Sequence, residues 1–374
     1  MLGLNIGNGR ITFMNQSGVQ KELPNKLDYT SVNEVYRALK ANFDGKLDTD
    51  KLNDGLKKGL VDAADDPYTE FFTAKDYKDF NNQLSGSFSG IGAELNKDAN
   101  NNIVVISPIA GAPAEKAGLK AKDIIAEIDG KSTAGMSVSE AVSLIHGTKG
   151  TTVKLKVARN GELKEISIVR ADISIPSVTS KVQNGVGYLT ISRFGDDTAN
   201  LSKKAAQDFK DQNVKAVVLD MRGNPGGLLD SAVSVSSLWL PAGKLVLTER
   251  RDGIVTNTFK AQGGAILNGI PTVALIDGGS ASASEITAGA LKDNDAATLV
   301  GEKSYGKGSV QQLVKLNGGG VLKVTIARWY TPNGKNISKA GIVPDVAVVS
   351  AAGDSKNGND TQMAAALKQL KVNN

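Results

Sequence analysis

Two short segments hold residue types that can do nucleophilic chemistry together. Gly279-Ser280-Ala281-Ser282-Ala283-Ser284-Glu285 offers serines at the mouth of a helix, and Tyr305-Gly306-Lys307-Gly308-Ser309-Val310-Gln311 offers a lysine between two glycines. A hydroxyl is a poor nucleophile until a base takes its proton. A lysine is that base only when neutral, the form that burial favours. The chain has one histidine, His146, and no cysteine. For a hydrolase with a nucleophilic side chain, Ser-His-Asp and Cys-His arrangements are nearly excluded, and a Ser-Lys pair remains. Gly306 and Gly308 permit close backbone approach. Gln311 can hydrogen-bond the amine without adding charge, whereas an acid there would hold the lysine protonated.

Acyl transfer also needs donors for the oxyanion of the tetrahedral intermediate. Asp220-Met221-Arg222-Gly223-Asn224-Pro225-Gly226-Gly227 follows the hydrophobic run Ala216–Leu219. A glycine-rich turn at the end of a strand presents free N–H groups to an anion, and the N–H of Ala283 is a second candidate. Each feature has a plainer alternative. Ser282-Ala283-Ser284-Glu285 matches a capping box, an isolated lysine is usually a surface residue, and a glycine loop is usually a turn. Gly301–Gly308 approaches the phosphate loop G-x-x-x-x-G-K-[ST], but Gly308 stands where the magnesium-binding hydroxyl is needed.

The elements that must position these residues fall into four stretches: 1–84, 85–172, 173–350 and 351–374. Residues 1–28 read as irregular. From Ser31 to Phe80 the apolar residues Val32, Val35, Tyr36, Leu39, Phe43, Leu52, Leu56 and Leu60 recur at helical spacing, which predicts a small helical domain. Residues 85–172 predict a compact β-rich domain, with strands at 103–106, 124–128, 153–157 and 166–169 and a helix over 137–145. Residues 186–350 alternate between strand and helix periods, as in a layered α/β domain. Strands are expected at 186–191, 216–219 and 272–276, and helices at 196–212, 229–238 and 284–292. A short amphipathic helix is expected over 360–371.

DMRGNPGG, GGSASASEITAGAL and YGKGSVQ, in this order, resemble the motifs of the carboxyl-terminal processing peptidases, also called tail-specific proteases. Four further collinear segments extend the resemblance over nearly the whole chain: DPYTEFF, SFSGIGAEL with VVISPIAGAPAEKAGLKAKDIIAEIDG, VGYLTISRF, and WYTPNGKNI with GIVPDV. The resemblance implies a multidomain α/β protein: a crotonase/ClpP-like protease core, an inserted β-rich PDZ domain and a helical N-terminal part. It implies Ser282 as nucleophile, Lys307 as general base, Gln311 as the residue that orients the lysine, and Gly227 and Ala283 as oxyanion donors. Ser280 and Ser284 are taken as packing or capping residues. Within the PDZ-like part, Gly90, Ile91 and Gly92 can turn N–H groups toward a peptide carboxylate, and Ala93 begins the strand that pairs with the peptide. Leu144 and Ile145 would line the pocket for its last apolar side chain. Family members often carry Arg in the segment that here reads Leu144-Ile145-His146-Gly147, and His146 reads as a surface residue at a helix end.

The expected activity is that of a serine endopeptidase that binds apolar C-termini of protein or peptide substrates. The alternative is a catalytically silent or ligand-gated PDZ binding protein on the same scaffold. No metal or organic cofactor is implied. Charges of both signs are interspersed, 44 basic against 39 acidic for a net +5, so a nucleic-acid partner is not expected. A homodimer through the helical ends and an activator or adaptor protein are compatible partners. The resemblance implies work outside the cytoplasm, in the periplasm, envelope or beyond. Met1–Gly7 lacks a basic region ahead of an apolar run, so a targeting segment is expected to be missing from the chain.

Overall fold

A computed structural model describes residues 23–350 and 359–371; the irregular stretch expected over 1–28 lies mostly outside them. The described residues divide into two compact units, one up to Lys57 and one from Lys58 onward. In the first, the helix Thr30–Asn42 carries the predicted apolar spacing, and Val35, Tyr36 and Leu39 along it are exposed. The helix Thr49–Asp62 begins in this unit. Among the described residues no helix is long and apolar enough to cross a membrane.

The expected helical domain does not run unbroken to Phe80. Asp65, at φ +50°, opens the turn before Pro67, and Glu70–Phe72 is a strand before the helix Ala74–Ser85. The strand pairs antiparallel with Val321–Lys323. Phe71 and Phe72 are buried there, so tertiary pairing of two adjacent aromatic residues overrides the helical period that surrounds them.

The core of the second unit is a six-stranded sheet in the order 178–183, 186–191, 216–220, 272–276, 298–301, 346–347. Only the first pairing is antiparallel. The central strands, Val-Val-Leu at 217–219 and Val-Ala-Leu-Ile at 273–276, are apolar on both faces, as a parallel sheet covered by helices requires. The helices Thr198–Asp211, Leu229–Ser236 and Ala283–Asp293 cover one face through Phe209, Val233 and Leu291. The helix Thr361–Gln369 covers the other, setting Ala366 and Leu367 against Val186, Val218 and Leu275. A second sheet is built on Val321–Tyr330, which pairs with Glu70–Phe72, Leu245–Arg251 and Ser309–Lys315.

The PDZ part is an antiparallel sheet of strands 93–97, 103–108, 124–128, 152–159 and 162–169, with the helix Val138–Ile145 packed on it. Ser137 and Glu140 form the capping box that starts this helix. The entry strand Ser87–Gly90 pairs with the exit strand Ala171–Ser174. The chain therefore leaves and rejoins the rest of the unit at one place, the geometry of an inserted domain. The three loops that carry the candidate chemistry, 221–227, 277–282 and 302–308, follow the carboxyl ends of three adjacent parallel strands. Ligands in open α/β sheets gather at that edge.

Candidate active site

The buried strand Thr272–Ile276 ends in a turn held by Asp277, whose Oδ1 accepts from the N–H of Gly279 at 2.9 Å and of Gly223 at 2.8 Å. The three serines that follow have different environments. Ser280 is fully buried; its Oγ donates to Met221 O at 2.8 Å and accepts from the N–H of Asp277 at 3.0 Å. Ser284 is also fully buried and donates to Asn224 O at 2.9 Å. Ser282 is half-buried and lines a cleft of about 460 Å³. It stands immediately before the helix Ala283–Asp293 at φ +53°, ψ −112°. A non-glycine residue adopts such a backbone only where its surroundings impose it, at a cost of about 1–3 kcal/mol.

The glycine loop closes one side of Ser282. Asn224 is fully buried and braces it: Nδ2 donates to Ile191 O at 2.8 Å, Oδ1 accepts from the N–H of Gly226 at 2.9 Å, and its carbonyl accepts from the N–H of Ala281 at 3.0 Å. Gly226, at φ +101°, lies so close that a Cβ on it would be 2.7 Å from Ser282 Cβ and 2.9 Å from Ala283 N. Gly227, at φ +146°, faces Phe194, whose carbonyl an added Cβ would strike. The N–H groups of Gly227 and Ala283 have no hydrogen-bond partner among the described residues. Arg222 anchors the start of the loop by forking onto Asp220, at 2.9 and 2.6 Å, and onto Asp360, at 2.9 and 2.8 Å. The loop is thereby tied to the helix Thr361–Gln369.

Glu285, absent from the sequence-based site, joins the serine to the lysine. Its buried carboxylate accepts four hydrogen bonds: Oε1 from Ser304 Oγ at 2.6 Å and Gly306 N–H at 2.7 Å, Oε2 from Ser282 N–H at 2.8 Å and Lys307 N–H at 3.0 Å. The S-x-x-E pattern carried the local half of this signal; the bonds to residues 304–307 are long-range. Trp329 Nε1 holds the Lys307 carbonyl at 2.9 Å.

The Lys307 side chain enters the same cleft as Ser282. Burial, then the charge of Lys323, pushes its ammonium below the ordinary lysine range, while Glu285 opposes them. Its Nζ makes no hydrogen bond among the described residues and lies 5.2 Å from the centre of the Tyr68 ring. Gln311 lines the cleft as well, but its amide donates to Ser309 Oγ at 2.9 Å and Thr325 Oγ1 at 3.3 Å rather than meeting the lysine.

In the PDZ part, Gly90 ends the strand Ser87–Gly90, Ile91 and Gly92 link it to the next, and Ala93 begins the strand Ala93–Lys97. Gly92 has φ +74°, and the N–H groups of Ile91 and Gly92 have no partner among the described residues. The side chains of Ile91 and Ile145 belong to the domain core, with Leu144 half-buried at its edge. His146 follows the helix and stacks on Phe88 at 5.0 Å, beside Gly90. Burial, then the charge of Arg170, pushes its imidazole below the usual histidine value.

Residues 185–348 match the family model described as Peptidase family S41, and residues 80–158 match the PDZ domain. The chain is 38% identical over 320 residues to the carboxy-terminal processing protease CtpA of Bacillus subtilis (strain 168), covering 85% of this chain and 68% of the relative. It is 39% identical over 329 residues to a protein of Staphylococcus aureus (strain COL) called "Probable CtpA-like serine protease", covering 87% and 66%. The chain thus spans about two thirds of the length of these relatives. Among solved structures, a photosystem II D1 C-terminal processing protease superposes with a TM-score of 0.53 at 29% identity, covering 86% of this chain and 87% of that one. The chain therefore belongs to peptidase family S41, among the serine proteases of the carboxy-terminal processing type that carry a PDZ domain.

Proposed function

We propose that this protein is a Ser-Lys endopeptidase that takes hold of a substrate's C-terminus in its PDZ part and cuts upstream in the cleft. One observation carries the reading. Of the three serines in the run, only Ser282 opens onto the cleft that also receives Lys307, and two unpartnered N–H groups flank it. In the reaction, neutral Lys307 accepts the Ser282 Oγ proton as the oxygen attacks the scissile carbonyl. The N–H groups of Gly227 and Ala283 receive the oxyanion. As the intermediate collapses, the Lys307 ammonium returns the proton to the leaving amine, and a water molecule then releases the acyl group by the same steps. At the PDZ loop, the N–H groups of Ile91 and Gly92, without partners among the described residues, donate to the substrate carboxylate, and the strand from Ala93 pairs with the peptide.

The test is cleavage of an unfolded protein such as casein by the wild type, Ser282→Ala and Lys307→Ala side by side, with binding of C-terminal peptides measured on each. Cleavage by the wild type alone, with binding retained in all three, is the expected result. Turnover by Ser282→Ala would sink the assignment. The ligand-gated form of this reading is favoured by the placement of Gln311, whose amide is engaged by Ser309 and Thr325. Stimulation of casein cleavage by an added C-terminal peptide would establish gating.

A further inference from the structure

The turn Asp66–Thr69 is remote in sequence from both catalytic segments, yet it reaches the base. Thr69 Oγ1 donates to Asp66 Oδ2 at 2.6 Å and accepts from the N–H of Thr325 at 3.1 Å. The next residues, Glu70–Phe72, pair with Val321–Lys323. Tyr68 is therefore fastened to the strand Val321–Tyr330, which also supplies Thr325 to Gln311, Lys323 to the cleft and Trp329 to the Lys307 carbonyl. From that anchor the Tyr68 ring presents its face to Lys307 Nζ at 5.2 Å. Burial, then Tyr305, pushes the Tyr68 phenol above the usual tyrosine range.

We propose that Tyr68 is a positioning residue for the general base, its ring face receiving the Lys307 ammonium and governing how readily that group gives up its proton. The inference rests on the Ser-Lys reading of the cleft. An aromatic face attracts a cation and not a neutral amine, so it opposes release of the proton. The other charged groups acting on Lys307 are Lys323, which favours release and is itself paired to Glu70 at 2.9 Å, and Glu285, which opposes it; Tyr305 acts on the Tyr68 phenol. Arg193 and Glu249 also line the cleft. The hold on Tyr68 keeps the amine clear of Ser282 until it is neutral, when the attraction lapses and the side chain is free to turn to the hydroxyl.

The experiment follows two quantities against pH in the wild type, Tyr68→Leu and Tyr68→Phe: kcat/KM on a peptide, and the rate at which a fluorophosphonate labels Ser282. Leu keeps the lysine buried but removes the ring face. The acid-limb midpoint in both measurements is expected to fall by roughly one pH unit. Phe keeps the face, and its midpoint is expected to stay at the wild-type value, which also controls for folding. An unshifted midpoint in Tyr68→Leu, whatever its rate, would show a merely structural role and overturn the proposal. A midpoint shifted equally in Tyr68→Phe would assign the effect to the hydroxyl and overturn it too. A wild type that the Ser282-directed reagent never labels, even with an added C-terminal peptide, would overturn the Ser-Lys reading itself.

Discussion

One carboxylate oxygen, Oε2 of Glu285, accepts the backbone N–H of Ser282 at 2.8 Å and that of Lys307 at 3.0 Å. The two proposed catalytic residues thus share one backbone anchor although 25 positions separate them. The arrangement fixes the strained φ of Ser282 and the course of residues 304–307 together. Glu285→Gln puts an amide donor where backbone donors converge. Loss of charge-assisted bonds predicts destabilisation by about 2–3 kcal/mol. Because the loss falls on the frame of the site, kcat should drop by at least about tenfold with little change in KM. Denaturant unfolding and steady-state kinetics on the same preparation check both.

Replacing each serine of the run separates packing from chemistry. Ser280→Ala and Ser284→Ala remove buried hydroxyls that hold the carbonyls of Met221 and Asn224. Each should cost about 1–2 kcal/mol of stability while leaving fluorophosphonate labelling in place. Ser282→Ala should abolish labelling and lower activity by at least about 10⁴-fold at nearly unchanged melting temperature. The reverse pattern would move the nucleophile to another serine.

Lys307 predicts a pH dependence with a definite sign. Its folded value lies below the ordinary lysine range because burial, then Lys323, disfavours the ammonium. The base is active when neutral, so kcat/KM should rise with pH through a midpoint below the ordinary lysine range. Folding linkage has the same origin. The unfolded chain binds the proton more tightly, so the stability penalty is full below the folded value and disappears as pH rises toward the unfolded one. Lys307→Met should therefore abolish turnover yet raise the melting temperature at neutral pH. A profile without that acid limb, or a less stable Met variant, contradicts the assignment.

Gly226 is expected to tolerate no side chain. Its φ of +101° and the 2.6 to 2.9 Å approach of a Cβ to Ala281 O, Ser282 Cβ and Ala283 N require the loop to move away from the nucleophile. Gly226→Ala should lower kcat on the order of 100-fold, the scale of a lost oxyanion donor. The far-UV circular dichroism should be unchanged, since the loop lies outside the sheet. Near-normal kcat would show that the loop takes no part in holding the oxyanion.

His146 predicts an acid weakness in the PDZ part. Partial desolvation where the otherwise exposed ring stacks on Phe88, then the charge of Arg170, keeps its imidazole below the usual histidine value. The unfolded state then binds more protons than the folded state as pH falls through 6.5, and stability declines until the folded imidazole also protonates. The pH dependence of hydrogen exchange in residues 87–174 should show this decline in the wild type and lose it in His146→Phe. An identical decline in both proteins would assign it to other groups.

Much of the site was legible because its parts are local. The strand at 272–276 and the helix after Ser282 follow from period and composition within a dozen residues. The loop at 220–227 needs only glycines and a preceding buried strand. The S-x-x-E spacing announced the Glu285 contact with Ser282. Other relationships depended on pairings between distant segments. The strand Glu70–Phe72 was hidden in a helical period until Val321–Lys323 met it. Tyr68 above Lys307, Gln311 turned to Thr325, and Glu285 bonded to Ser304, Gly306 and Lys307 all arise from that long-range packing. The sequence by itself determined the chemical inventory, a serine, a lysine and glycine-borne donors with no thiol and a single imidazole, since residue type and local spacing set those. Only the tertiary structure decided which serine stands open and what surrounds the lysine, because burial and charge at a point are sums over elements that the chain order keeps far apart.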